Sequence, residues 1–397
     1  MPLSNPTIIH LTEYKSTFMP ASALTSELGE RLWREYGQQI KVEFPSPKTS
    51  NKWQLTNQGY VGYIPLTESH HFRLESKVPL QNLFGMLEYA FDLKSFRFLD
   101  GLMTSQDLPE FYERLALKLT DGILNRARQG LYRAYLPHQA NLTAMRGRLD
   151  IAQLSRQIGQ VTLPCHYDEQ TADLPDNQIL LWTLHQILRQ RMSQNPTLTR
   201  AHRALSGTVT LIPHTAKDCE GGRYSRLNED YRPLHALCRF FLASSGPQVA
   251  AGTHTMLPFL VNMSQLYERF VAAWLKEHLP PQWQLKMQER VNLHKSHFEI
   301  DLVLSDRHTG QTLCVLDTKY KEEVNNPDIF QITAYATAKH CTQAVLIYPQ
   351  NISLPQQPIG QDVQIHYLTF DLNQRLDQSG EQFWQSLENI INPSPFF

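Results

Sequence analysis

Asp317, Thr318 and Lys319 close the apolar run Cys314-Val315-Leu316, and a second acid, Asp301, stands sixteen residues before Asp317. Carboxylate oxygens are the hard ligands that a divalent cation such as Mg²⁺ prefers, with waters filling the remaining positions. Two acids held close together repel, and a bound cation relieves that repulsion. A lysine beside them can orient a water or help to deprotonate it, and can stabilise the charge that develops on a phosphate. The chemistry implied is metal-assisted attack of water on a phosphodiester.

Side chains two apart on a strand share a face, so Asp317 and Lys319 project together while Thr318 points away. Glu299 and Asp301 stand in the same relation on the preceding strand. Ser305–Gly310 reads as a hairpin turn, and an antiparallel pair would bring Asp301 to Asp317. Glu268, on the helix before these strands, either aims at the same cluster or remains a surface charge. Gln331 and Tyr335, four apart on the next helix, share a face. There they can hold Lys319, a metal-bound water or a phosphate, or simply serve helix packing. Lys321 follows on the face of Lys319 as a phosphate contact or a solvated edge charge.

The elements that must position these groups follow from periodicity. Residues 1–100 are read as β-rich: Ile40–Phe44, Trp53–Leu55, Tyr60–Ile64 and His71–Val78 cluster or alternate strand-forming residues between Pro, Asn and Gly. Leu80, Leu83, Phe84, Leu87 and Phe91 then recur at helical spacing. Residues 101–252 are read as mainly helical. One helix is expected through Phe111–Tyr135, with Leu115, Leu119, Ile123 and Leu124 on one side. A second is capped by Asp176, and a third starts at Pro233. The segment 145–170 is irregular, with short strand signals. Asp168, Glu169 and Asp173 are read as turn or cap residues. Ser245–Gly252 is the linker candidate. Residues 253–397 show the order helix, three strands, helix, strand, with Asn262 or Ser264 as the first cap, which describes a compact mixed α/β domain.

Bulk properties exclude several classes. A chain of 397 residues is too long for one ordinary core. A net charge of -1 rules out a uniformly basic nucleic-acid coat, so contacts with DNA must come from local patches or through metal. Arg146-Gly147-Arg148 is the sharpest such patch: the glycine lets a backbone approach while the guanidiniums grip phosphate, with structural ion pairing as the rival use. Five scattered cysteines without a C-x-x-C argue against a disulfide framework, a zinc ribbon and a cysteine-ligated cluster. Neither a signal pattern nor a membrane-length apolar run is seen, which predicts a soluble, cytoplasmic protein. The histidines form no H-E-x-x-H pair, and neither a G-x-S-x-G elbow nor a G-x-x-x-x-G-K-[ST] phosphate loop occurs.

With Asp301, Asp317-Thr318-Lys319-Tyr320-Lys321, Asp328-Ile329-Phe330-Gln331 and Tyr335 assembled, the chain resembles the PD-(D/E)xK nucleases. More narrowly it resembles the McrC family, the nuclease subunit of modified-cytosine-dependent McrBC restriction systems. Tyr60-Val61-Gly62, Lys77-Val78-Pro79 and Leu83–Ala90 resemble that family's N-terminal region. Gly130–Tyr135, Met145–Asp150, Asp173 and Asp176-Asn177 resemble its middle, and Leu266–Val271 its approach to the nuclease domain. The first acid follows Ile300 rather than the proline of the motif's name, a position that is not a ligand.

The resemblance implies a multidomain α/β fold ending in a PD-(D/E)xK-like nuclease domain over 253–397. Together with the residue readings above, it predicts Mg²⁺ or Mn²⁺ on Asp301, Asp317 and Glu268, a catalytic set of Asp301, Asp317, Lys319 and Gln331, and DNA contacts from Arg146, Arg148, Lys321 and Tyr335. It also implies double-stranded methylated DNA as substrate, a role in antiviral defence, and a partner. That partner is a McrB-like AAA+ GTPase hexameric ring, which the N-terminal part engages and stimulates. Two other functions remain consistent with the residues: a non-cleaving regulatory or adaptor subunit of the ring, and a stand-alone DNA-repair nuclease.

Overall fold

The computed structural model describes residues 7–67, 69–93, 108–156, 161–190, 195–244, 259–293, 296–352 and 363–392. Two compact units divide the chain: Met1–Leu108, Gly246–Gly252 and Pro258–Phe397 form one, and Pro109–Ser245 with Thr253–Leu257 form the other. The expected linker Ser245–Gly252 lies outside the described residues.

The first unit begins with β1 (Thr7–Thr12), β2 (Ser16–Pro20), α1 (Ser26–Tyr36), β3 (Ile40–Glu43), β4 (Lys52–Asn57), β5 (Tyr60–Pro65), β6 (His70–Glu75) and α2 (Leu80–Ala90). The strands anticipated at 40, 53, 60 and 71 are present, as is the helix from Leu80. The sequence reading missed β1, β2 and α1. β1 alternates on only two buried residues, Ile9 and Leu11, and α1 buries only Gly29, Leu32 and Tyr36. Such thin apolar stripes give a weak periodic signal. β2, β4 and β3 form one antiparallel sheet, while β1 pairs parallel with β6, and β6 antiparallel with β5. Their shared core is built around Trp53, Leu55, Phe72 and Leu74. The Trp53 indole N–H, which would be costly to bury unpaired, donates to the carbonyls of Ala21 and Leu24 at 3.2 Å.

The second unit holds α3 (Leu108–Gln129), β7 (Ala134–Leu142), β8 (Arg148–Leu149), α4 (Ile151–Leu154), β9 (Leu163–Thr171), α5 (Pro175–Gln190), α6 (Pro196–Ser206) and α7 (Tyr231–Ala243). The expected helical stripe Leu115, Leu119, Ile123 and Leu124 is buried. Three readings need correction. The helix ends at Gln129, and Tyr135 lies in β7. Asp168 and Glu169 belong to β9, within the three-stranded sheet β7-β9-β8, rather than to a turn. Asp176 sits inside the first turn of α5 instead of capping it. β7 is half-exposed or exposed throughout, so it offers no buried face for a period-2 pattern to reveal. Asn177 is buried, donating to the carbonyls of Tyr132 and Ala172 and accepting from the Tyr231 hydroxyl.

The chain returns to the first unit through β10 (Phe259–Asn262) and α8 (Met263–His278). It then runs through β11 (Trp283–Leu293), β12 (Ser296–Asp306), β13 (Thr312–Thr318), α9 (Asn326–Ala338), β14 (Gln343–Tyr348), β15 (Gln364–Thr369) and α10 (Leu376–Ile391). The expected order is present, with β15 and α10 added. The five-stranded sheet has the order β11-β12-β13-β14-β15, antiparallel across the first three strands and parallel across the last three. Asn262 caps α8 by accepting from the Gln265 N–H at 3.1 Å. Among the described residues no helix is long and apolar enough to cross a membrane, and all five cysteines are buried free thiols.

β10 completes the first sheet by pairing with β5, so the strand leading into α8 is fixed by the N-terminal segment. Gly62 sits in that pairing at φ +149°, opposite Leu260, and a Cβ there would collide with the Phe259 carbonyl. Gly62→Ala should therefore loosen the β5–β10 seam and destabilise the first unit by about 2 kcal/mol, the scale of local strain plus overpacking. A lowered melting temperature checks this; an unchanged one would show that the seam tolerates a methyl group.

Candidate active site

The site grows out of the β12–β13 hairpin. Asp306 Oδ1 accepts from the backbone N–H groups of His308 and Thr309, and Gly310 takes φ +72°, which turns the chain sharply after β12. The strands then pair with Leu302 opposite Leu316 and Val303 opposite Val315. One step further along this register sets Asp301 against Asp317, on the face shared by Val303 and Val315. That face also carries Ala344, Leu346 and Tyr348 of β14, and Ile332, Tyr335 and Ala336 of α9 pack into the same core. A carboxylate is thus inserted at the edge of an apolar layer.

Asp317 is fully buried, at 0% exposure. Its Oδ2 lies 2.6 Å from Lys319 Nζ in an ion pair, and its Oδ1 has no hydrogen-bond partner. Burial, and next the neighbouring Asp301, push the Asp317 carboxyl up to about 7 against the pull of Lys319. Lys319 shows the converse balance. Burial alone would lower its pKa, but Asp317, Asp328 and Asp301 outweigh it and the ammonium titrates above its ordinary value. Gln331 Oε1 accepts from Lys319 Nζ at 2.9 Å, while its Nε2 donates to the Tyr335 hydroxyl at 2.7 Å. Gln331 thus holds Lys319, while Tyr335 packs into the core and braces Gln331.

Lys321 does not stand as a loose edge charge: its Nζ meets both carboxylate oxygens of the buried Asp328, at 2.8 and 2.9 Å. Asp328 also lies 3.8 Å from Lys319, so it anchors two lysines at once. The sequence reading quoted Asp328 only as part of a motif. Its place in the first turn of α9, facing the strand end, was the available signal.

Glu268 comes from α8, and burial followed by Asp301 raises its pKa. Its Oε1 accepts from Gln288 Nε2 at 3.5 Å. Gln288 was missed entirely. It falls between the Met287–Leu302 and Glu289–Ile300 pairs, hence opposite Asp301, and adopts φ +48°, an uncommon conformation for a residue other than glycine. Nothing in its residue type signals this.

Among the described residues no group of three or more His, Cys, Asp or Glu side chains is drawn together as a ready-made metal cage. The Asp301–Asp317 pair nevertheless fits a divalent cation. One oxygen of Asp317 is buried and unpartnered, and the neighbouring Asp301 raises the affinity of that carboxyl for positive charge. In the second unit, Arg146 lies over the Tyr167 ring at 4.2 Å and 3.7 Å from Glu169, so it is engaged structurally. Arg148 is exposed on β8. Between them Gly147 takes φ +69°, where a Cβ would strike the His166 carbonyl.

The arrangement is a mixed α/β sheet with two acids and a lysine at the end of its central strand. A family description, McrBC 5-methylcytosine restriction system component, matches residues 55–349, well over half of the chain. The chain belongs to that family, in keeping with the McrC likeness of its motifs. Among solved structures it is similar to a refined half-complex from a tetradecameric assembly of Thermococcus gammatolerans McrB AAA+ hexamers with bound McrC. The TM-score is 0.55 at 19% identity, covering 97% of this chain and 100% of that one. A second, the cryo-EM structure of the Thermococcus gammatolerans McrBC complex, has a TM-score of 0.44 at 19% identity, with 69% and 88% covered. No curated protein sequence matches significantly.

The raised Asp317 carboxyl has a consequence for stability. An unfolded aspartate titrates near about 4, so from there to about 7 the folded chain holds the extra proton and loses stability as pH rises. Asp317→Asn removes the charge that must otherwise be buried. In EDTA the variant should melt above the wild type at pH 8, by on the order of 2 kcal/mol, with the gap closing towards pH 4. Melts of both proteins at the two pH values test this, and parallel pH curves would rule it out.

Proposed function

We propose that this chain is the DNA-cleaving subunit of an McrBC-type restriction system, built on a PD-(D/E)xK-like nuclease domain. The observation that carries the reading is the convergence of Asp301, Asp317, Lys319 and Gln331 at one strand end, with an Asp317 oxygen buried and unpartnered. Family membership over residues 55–349 supports the system, and the McrB AAA+ hexamers named with bound McrC in the similar structure support the partner. On this reading the chain acts in the cytoplasm with a separate GTP-hydrolysing ring, which it stimulates, and the substrate is double-stranded DNA carrying modified cytosine.

Asp301 and Asp317 would hold Mg²⁺ or Mn²⁺, which when bound polarises a phosphate oxygen and acidifies a ligated water. The chain's own groups supply the rest. Lys319 Nζ, already positioned by Asp317 and Gln331, orients the attacking water and offsets negative charge gathering on the phosphate. Gln331 holds that ammonium from α9, with Tyr335 bracing the Gln331 amide, and Asp328 keeps Lys321 beside it as a contact for an adjacent phosphate. Glu268 remains close enough to raise the local negative potential through Asp301.

Asp317→Ala and Lys319→Ala should each lower cleavage of methylated DNA by about 10³-fold or more in the presence of the ring, GTP and Mg²⁺, while leaving stimulated GTP hydrolysis intact. Gel assays and phosphate release measure the two activities on the same samples. Cleavage that survived Asp317→Ala would place the chemistry elsewhere.

A second outcome concerns the metal. Mg²⁺ or Mn²⁺ should raise the melting temperature of the wild type and not that of Asp317→Ala, because a ligand that binds only the folded state stabilises it. An equal shift in both proteins would exclude this pair as the binding site.

A further inference from the structure

Lys319 lies just past the last ladder residue of β13, where the chain leaves the sheet. Its own N–H still donates to the Ile347 carbonyl at 2.8 Å, and the next residue, Tyr320, turns to the opposite side. There the Tyr320 hydroxyl donates to Glu13 Oε2 at 3.0 Å, with both side chains buried. Glu13 directly follows β1, more than three hundred positions away in sequence, and its Oε1 has no partner. Lys77 closes the same place a second time. Its Nζ sits 5.2 Å above the Tyr320 ring and 5.4 Å above the Tyr14 ring, and it pairs with Glu322 at 2.8 Å. A cavity of about 810 Å³, bordered by Glu13, Lys77, Lys319 and Tyr320, lies alongside, while the buried Tyr267 ring packs against Tyr320 at 5.8 Å between centroids.

A carboxylate is expensive to bury beside a cavity with one oxygen unsatisfied, and apolar packing could have held the tyrosine ring without it. What Glu13 adds is direction. A hydrogen bond to a buried acceptor fixes where the hydroxyl, and hence the backbone of residue 320, must sit. We propose that Glu13 and Tyr320 are positioning residues for Lys319, so that the N-terminal segment sets the geometry of the strand end that carries the reactive lysine. The proposal rests on the nuclease reading for its consequence in cleavage, but the clasp itself can be tested apart from it. It also gives the N-terminal segment a route to the site: any displacement of β1 relative to β13 would shift Lys319 against Asp317.

Tyr320→Phe deletes only the hydroxyl, Glu13→Gln keeps an acceptor, and Glu13→Leu removes it. In the complete system, Tyr320→Phe and Glu13→Leu should lower kcat about tenfold with KM for DNA unchanged, and Glu13→Gln should retain most of the rate. Hydrogen exchange of the peptide containing residues 318–321 should quicken in Tyr320→Phe, while that of 343–348 stays as in the wild type. Full activity in Tyr320→Phe, or equal losses in Glu13→Gln and Glu13→Leu, overturns the assignment. Quickened exchange in a chain that never cuts DNA would remove the nuclease reading and keep the clasp. Unchanged exchange with a cutting wild type would remove the clasp and keep the nuclease.

Discussion

A buried carboxylate with a lysine 2.6 Å away is the constraint around which the C-terminal sheet is arranged. Asp317 stands on an otherwise apolar strand, where an ionised group without compensation would cost several kcal/mol. Lys319 offsets part of that cost and is itself partly buried, so it too needs partners. Gln331, Tyr335 and Asp328, all from α9, provide them directly or in relay. The negative charge is still not fully balanced, because Asp301 pushes the Asp317 pKa further up. A site left short of positive charge is one that favours an added cation.

Such a balance can hold only on a stiff support. β13 is the middle strand, antiparallel to β12 and parallel to β14, and its run Cys314–Leu316 is buried completely. Side chains that alternate up and down on this strand therefore have little room to move, and the Asp317–Lys319 pair sits where the ladder ends and the backbone can diverge. The residues following Lys319 are tied from opposite sides, Lys321 to Asp328 and Tyr320 to Glu13. α8 joins the same framework through Tyr89–Phe270 and Phe270–Phe370 ring contacts, and the Asn82 amide donates to the carbonyls of Leu372 and Gln374. The N-terminal segment and the five-stranded sheet thus lie in one compact unit, although the sequence between them forms a separate one.

The similar solved structure spans nearly the whole chain at 19% identity. A fold survives such divergence when apolar positions keep their pattern and approximate volume, since packing tolerates exchange among aliphatic and aromatic residues far better than loss of burial. Polar groups within the core obey a stricter rule, because each needs a specific partner in a specific direction. Asn57 and Asn177 illustrate it: each is buried, and each amide bridges backbone carbonyls of different segments.

Sequence alone determined the local part of this protein. Alternation and helical spacing placed α8, β11 to β14 and α9 but not β10, β15 or α10, Asn262 was legible as a cap, and the period of a strand put Asp317 and Lys319 on one face. The turn at Ser305–Gly310 even implied the partner for Asp317, because a hairpin of that length leaves few registers. The middle region was less legible: β7, exposed along its length, has no buried face to impose a pattern, and Tyr135 was read as helix for that reason. Only the tertiary structure decided that Lys321 belongs to Asp328, that Gln288 bends into a left-handed conformation opposite Asp301, and that Glu13 meets Tyr320. These are contacts between segments far apart or in irregular backbone, and no periodicity records them. Their energies come from burial and direction, which exist only once the chain has folded.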